Sequence, residues 1–402
     1  MAEAAREAWI TGIGIISCLG EGAQSHWQKL MEAHPSADTT TFAPFVVHPL
    51  AAINFEAQIP KKGDLRQMEN WQRIGTYAAG LALDSAGVKG KPEILSHMDM
   101  IVAAGGGERD LAVDSTILSG IRQAQNPAAF LNERLMSDLR PTLFLAQLSN
   151  LLAGNISIVH GVTGSSRTFM GEESAGVDAV RIALSRIVSG QSDIALVGGS
   201  LNGERLDILM LYEFAGHTLK DGYAPVWERG DKAGFAIGSL GAFLVIEARE
   251  HAEKRGAKPL ARLTAVLSDR SKRTAGSVTA ALGRLWDKIK PRLSSGHVAV
   301  LSGASGTAPA TAEERAFFTS HGDLAVRATG SYLGHGMEPQ FVMNIALAAI
   351  AVGHGNLFPP CDSTGVERAM SGDLSQGLLE QVLVTGVGHW RGEGLALVER
   401  VG

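Results

Sequence analysis

Cysteine is nearly missing from this chain: Cys18 and Cys361 are the only two in 402 residues. They lie far apart and match no zinc-ligand spacing, which excludes a disulfide scaffold and points to a reducing compartment. An excess of positive charge is also missing. Lys and Arg number 36 against 41 Asp and Glu, a net charge of −5, so there is no electrostatic footprint for nucleic acid. Long hydrophobic runs are missing too. The most apolar stretch, FVMNIALAAIAVGHGNL, is broken by Asn344 and His354 and falls short of the roughly 18 apolar residues of a spanning helix. The opening MAEAAREAWITG has no apolar core like that of a secretion signal. These absences predict a cytoplasmic protein without stable membrane insertion.

What remains is an ordinary globular composition, 45% hydrophobic and 19% charged, with 48 glycines that favour tight turns. Apolar runs alternate with helix-periodic stretches. WITGIGIIS (9–17), DMIVAAGGG (99–107), DIALVGGS (193–200), GAFLVIEA (241–248), HVAVLSGAS (297–305) and QVLVTGVGHW (381–390) read as buried strands. WQRIGTYAAGLALDSAG, AVRIALSRIVSG and QFVMNIALAAIAVG read as helices. Nearly continuous apolar strands imply sheets covered on both faces by helices, an α/β layered architecture. Apolar strands ending in Gly-rich turns recur in the first and second parts of the chain, and no low-complexity linker separates the two. The expectation is two tightly packed, related halves, 1–255 and 256–402. SDRSKRTAGS (268–277) reads as a surface loop.

Six segments, in order, resemble the β-ketoacyl-acyl carrier protein synthases, the condensing enzymes of the thiolase fold. They are WITGIGIISCLG, NLLAGNISIVHGVTGSS, GVDAVRIALSRIVSGQSDIALVGGS, GFAIGSLGAFLVIEAREHAEKRGAKPLA, GSYLGHGMEPQ and LFPPCD. The wording also resembles the divergent synthases of rhizobial clusters that build very-long-chain fatty acids for lipid A. The resemblance implies a thiolase-like five-layer αβαβα fold with two pseudo-repeated halves. It further implies a dimer, expected through the strands near 190–200, and no cofactor or metal.

A condensing enzyme uses a cysteine thiolate to hold the acyl chain, and donors to stabilise the enolate left when malonyl-carrier loses carbon dioxide. Carried over by resemblance, the cysteine position falls nine residues after Gly164, on Glu173. A count back from Gly176 gives the same residue. The first catalytic histidine maps to Gly303 and the lysine to Gly330, while the second histidine survives as His335. The Gly-rich loop at the acyl entrance is GVGHWRGEG, with Trp390 near the gate, and Phe169 and Met170 are expected along the acyl tunnel.

The bland readings stand beside these. Glu172 and Glu173 in a first helical turn act favourably with the helix dipole, by roughly 0.3–1 kcal/mol each, with no catalysis implied. His335 also reads as a satisfied buried donor. His160, His217, His321, His354 and His389 read as ordinary packing or surface residues, and Gly105–Gly107 as a strand-end turn. Three functions stay open. One is a catalytically degenerate subunit, resembling a chain-length factor, that pairs with a Cys-bearing ketosynthase and an acyl carrier protein. Another is a malonyl-carrier decarboxylase, or a synthase still active as an acyltransferase. The third is a homodimer that binds acyl chains.

Overall fold

A computed structural model describes residues 6–139, 141–294, 298–321, 324–368 and 378–402. Ten strands form one continuous run. In the first half these are β1 (Ala8–Ser17), β2 (Asp99–Ala103), β3 (Ser166–Phe169), β4 (Ile194–Leu201) and β5 (Leu240–Ala248). In the second half they are β6 (Ala261–Asp269), β7 (Val298–Ser302), β8 (Ala325–Ala328), β9 (Gln381–Val387) and β10 (Glu393–Glu399). Their spatial order is β8-β7-β9-β10-β6-β1-β5-β4-β2-β3, and the short strand Gly20–Glu21 pairs beside β1.

That order contains a repeat. The first half reads β3-β2-β4-β5-β1 and the second β8-β7-β9-β10-β6, the same permutation of five strands. The directions repeat as well. β2 is parallel to β3 and β4, and β7 is parallel to β8 and β9. The remaining pairs in each half are antiparallel. The halves are stitched where Trp9 and Ile10 of β1 face Arg262 and Ala261 of β6.

Helices fill three layers around the two halves. α1 (Asn70–Ser85) and α2 (Leu151–His160) pack with Met100, Val102, Leu196 and Phe243 on the outer face of the first half. Gly12 and Gly14 of β1 permit that approach, because a Cβ at Gly14 would collide with the α1 backbone at Ala78 and Ala82. α3 (Glu172–Val188) and α6 (Gln340–His354) lie between the halves and share one core with strands of both. α6 is buried from Gln340 to Val352, which is why its sequence is apolar on every side rather than amphipathic. α4 (Ser277–Ile289) and α5 (Ala310–Ser320) cover the outer face of the second half. The architecture is therefore the five-layer αβαβα arrangement with repeated halves.

The expected strands are all present, shortened where a Gly-rich turn follows: β2 stops at Ala103, before Gly105–Gly107, and β9 at Val387. His297, placed at the start of one expected strand, lies outside the described residues. One expectation is corrected. The strand near 190–200 cannot offer a dimer edge, because β4 is hydrogen-bonded to β2 on one side and β5 on the other. The open edge of the first half is β3, whose only strand neighbour among the described residues is β2. No helix among the described residues is long and apolar enough to cross a membrane.

Candidate functional site

The two central helices begin close together. α3 starts after Gly171, whose φ of 124° turns the chain sharply out of β3. Glu172 follows with φ 54°, a left-handed conformation uncommon for a residue with a Cβ. That turn aims Glu173 inward, and it is only 3% exposed. Gly176, one turn on, packs so tightly on the Glu338 backbone carbonyl that a Cβ would clash.

Three donors converge on the Glu173 carboxylate. His335 Nε2 lies 2.7 Å from Oε1. His389 Nδ1 lies 2.9 Å from Oε1 and 3.2 Å from Oε2. The His389 backbone N–H donates to Oε1 at 3.1 Å. His335 is 1% exposed and its Nδ1 has no partner, which assigns the ring proton to Nε2, facing the carboxylate. Burial alone would raise the Glu173 carboxyl, but His389 and His335 overcome it and hold the group well below the ordinary carboxylate range. Burial pulls the His389 imidazole down, and the charge of Glu173 beside it more than compensates, so its affinity for a proton is raised. Glu173 is therefore a fixed, buried anion with its acceptors engaged.

Other groups ring this anion. Glu172 lies 3.8 Å from His389 Nε2, and burial raises its carboxyl. Glu338, 6% exposed, is pushed up to about 7, first by burial and then by the charges of Glu173 and Glu172. His217 packs edge-on against His389 with ring centroids 5.1 Å apart, and Tyr212 does the same at 5.6 Å. Glu172, Glu173 and His389 place ligand atoms within 4.8 Å of one another, a set able to hold a divalent cation. The hydrogen bonds already satisfy Glu173 without one.

The loop that supplies His389 is clamped from outside. Arg273, in the segment read as a surface loop, donates through Nε to the Gly388 carbonyl at 3.0 Å and through Nη2 to that of Gly392 at 3.1 Å. It also pairs with Glu393, which is fully buried. This segment is thus partly structural.

The positions expected to match the family's catalytic residues are placed as follows. Gly303 follows β7, donates its N–H to the Thr385 carbonyl at 3.1 Å, and has no room for a side chain. A Cβ there would sit 2.7 Å from that carbonyl and 3.4 Å from Asn344 Nδ2. Gly330 opens the short helix Gly330–Leu333, where a Cβ would meet the Ala304 carbonyl at 3.2 Å and Val226 at 3.3 Å. Phe169 packs partly buried against the central core. Met170 and Trp390 are 67% and 64% exposed on this chain, so neither lines an interior tunnel within it. The ring that faces Glu173 from the C-terminal loop is His389, one residue before Trp390. Reading His389 as an ordinary packing residue is therefore corrected, while His217 does pack, against His389 and Phe235. Nothing in their spacing marked them, since they reach the site from loops 172 positions apart in sequence. The cysteines are elsewhere. Cys18 donates to the Tyr332 carbonyl and burial pushes its thiol up to about 12. Cys361 lies beside Tyr223 and is pushed up to about 11, also chiefly by burial.

Comparison with known proteins agrees with this frame. Residues 5–252 match the family described as β-ketoacyl synthase, N-terminal domain. The 3-oxoacyl-[acyl-carrier-protein] synthase 2 of Vibrio cholerae serotype O1 is 24% identical over 265 residues, which span 63% of this chain and 60% of that protein. Among solved structures, the ishigamide ketosynthase/chain length factor superposes with a TM-score of 0.79 at 20% identity, covering 99% of this chain and 100% of that one. A complex described as a type II PKS acyl-carrier protein with its ketosynthase bound to the hexaketide gives a TM-score of 0.74 at 16% identity, with 99% and 100% covered. A sheet of repeated five-strand halves, with a buried helix start at its centre, defines a thiolase-like protein. The chain belongs to the β-ketoacyl synthase family.

Proposed function

We propose that this chain is a non-condensing member of its family, acting as a chain-length-factor-like subunit beside a Cys-bearing ketosynthase and an acyl carrier protein. The observation that carries the reading is the Glu173 carboxylate with His335, His389 and a backbone N–H all spent on it. Condensation needs a thiolate at the helix start and free donors for a transient enolate or oxyanion. Here a permanent anion sits where the transient one would form. A carboxylate nucleophile would give only a mixed anhydride, which hydrolyses readily. In this reading Glu173 takes the place of the nucleophilic cysteine, Gly303 and Gly330 those of the lost histidine and lysine, and His335 is the histidine retained. The halves divide at about residue 255, in the segment between β5 and β6.

The decarboxylase reading fares worse on the same geometry. Malonyl-carrier brings its own carboxylate, which the Glu173 anion repels, and both imidazoles are already occupied. A homodimer that binds acyl chains remains the second alternative. The site for a partner is the open edge at β3, whose residues Ser166 and Arg167 are exposed, whereas the other free edge, β8, is buried throughout. Across that edge Phe169, Met170 and Trp390 would line a shared acyl tunnel. The setting is the cytoplasm, and the pathway is elongation of very long fatty acyl chains.

The test is co-expression with a Cys-bearing ketosynthase of the same organism, followed by native mass spectrometry. A one-to-one mixed dimer is expected. A population of homodimers only, with the ketosynthase equally active alone, contradicts the proposal.

A further inference from the structure

Away from Glu173, the segment around Trp227 and the turn after β7 wall a cavity of about 90 Å³ at the N-terminal end of α5. Among the described residues its charged lining is Arg229 and Arg315, with Trp227, Thr307 and Thr311 as the other polar members and no acid. Arg229 is only 4% exposed. Its guanidinium donates to the carbonyls of Ala224 at 3.1 Å, Gly234 at 2.8 Å and Ser305 at 3.0 Å, and Nη2 has no partner. Trp227 is 2% exposed and its indole N–H is also unpartnered. Arg315 reaches only the Trp227 carbonyl, at 3.3 Å. Thr311 Oγ1 accepts from the Gly306 N–H at 2.9 Å, which leaves its own proton free to donate.

Burial lowers the Arg229 guanidinium to about 10, so it remains a cation at neutral pH. Among the described residues neither Arg229 nor Arg315 has a carboxylate at ion-pairing distance. A buried cation held only by neutral carbonyls is an incomplete arrangement, because its desolvation is offset fully only by an opposite charge. Two buried donors without acceptors add to the deficit. A helix N-terminus contributes further positive potential at the same spot. Every unmet requirement of this cavity has the same sign.

We propose that the cavity binds a small oxyanion, phosphate or sulfate, held by Arg229, Arg315, the Thr311 hydroxyl and the Trp227 N–H. The volume is that of about three water molecules, enough for one such ion. Arg229 also anchors the Gly234 and Ser305 carbonyls. Gly234 precedes Phe235, whose ring centroid lies 5.3 Å from that of His335 and 5.7 Å from that of His389. Occupancy therefore stiffens the wall behind the Glu173 site. The ion is either free or the phosphodiester that joins a phosphopantetheine arm to its carrier.

The experiment is a thermal-shift and ³¹P NMR titration of the full chain with inorganic phosphate, against chloride at equal ionic strength. Phosphate should raise the melting temperature in a saturable way that chloride does not. Arg315→Met should weaken phosphate binding by about tenfold or more, the scale of a lost charge-assisted hydrogen bond. Arg229→Met should do the same. If that variant does not fold, Thr311→Val serves with Arg315→Met. Competition by the holo form of the carrier protein and not by its apo form assigns the site to the arm, and its absence assigns it to the free ion; both support an oxyanion site. The proposal is overturned if phosphate protects no better than chloride, if Arg315→Met retains the full shift, or if a crystal grown in phosphate shows only water in the cavity.

Discussion

Glu173 and Glu338 occupy matching places in the two halves. Glu173 lies in the first turn of α3, which follows β3, and Glu338 lies two residues before α6, which follows β8 after the short helix Gly330–Leu333. Each follows a non-glycine residue in the left-handed region, Glu172 at φ 54° and Met337 at φ 53°. Both side chains are buried. Their ionisation nevertheless diverges: Glu173 is held well below the usual carboxylate range, and Glu338 is pushed up to about 7. The backbone repeat supplies the same inward-pointing acid twice, and partners decide its charge. Glu173 has two imidazoles and an N–H. Among the described residues Glu338 has no cationic partner, and it feels the negative charge of Glu173. The lesson is that burial does not set the charge of a group; the donors brought to it do.

The largest expected effect comes from removing the paired acid. Glu173→Ala leaves two ring donors and a backbone N–H buried without an acceptor, at a cost of about 3–5 kcal/mol, the range for breaking a buried pair. Chemical denaturation at pH 7 measures it, and a loss under about 1 kcal/mol would mean the network is not the one described.

Glu338→Gln should act in the opposite direction. The unfolded carboxyl titrates near its ordinary value of 4.5 and the folded one near 7. Below the unfolded value both states hold the proton and there is no penalty. As pH rises from about 4.5 to about 7 the folded state loses stability relative to the unfolded one, and above that the penalty is complete. The substitution should therefore stabilise by roughly 2–3 kcal/mol at pH 8 and by almost nothing at pH 4. Glu173 has the reverse sign, since its depressed value adds stability above the ordinary carboxylate range that is lost as pH falls. A stability profile of Glu338→Gln that is flat with pH would erase the contrast between the two acids.

Gly303→Ala tests how completely the site has closed. A methyl placed 2.7 Å from the Thr385 carbonyl must displace backbone, for a loss of about 1–3 kcal/mol. For the same reason the triple change Glu173→Cys, Gly303→His, Gly330→Lys should not recover condensation, and an acyl-transfer assay that detected it would show the frame is still open. The smallest effect belongs to Trp390→Ala, which in the isolated chain should stay within about 0.5 kcal/mol because the ring is exposed. In a mixed dimer it should weaken association if the ring faces the partner, as subunit-exchange rates would reveal.

Much of the fold was legible in residue order. The strands 9–17, 193–200 and 241–248 are unbroken apolar runs, and α6 is apolar all round because it is the central layer. β6 and β10 were not marked as strands, because the charged Arg262 and Glu399 break their apolar pattern. The structure resolves this by pairing them, at 2.6 Å across the β6–β10 ladder. β3 and β8 have four residues each, too short for a periodicity to register. In the site, Glu173 and His335 could be reached by counting along family motifs. His389, His217 and Glu338 could not, because their importance lies in distances between loops and no local spacing encodes it. The dimer edge was misplaced for a similar reason: β4 is apolar enough for an interface, and only the strand order shows that both its sides are taken.

The most direct test of the central claim is turnover by the isolated chain. Purified protein would be incubated with acyl-carrier and radiolabelled malonyl-carrier, with carbon dioxide release and ketoacyl-carrier formation followed together. The account predicts neither product above a protein-free control, since Glu173 offers no thiolate and its donors are engaged. Steady formation of ketoacyl-carrier, or decarboxylation abolished by His335→Ala, would contradict it.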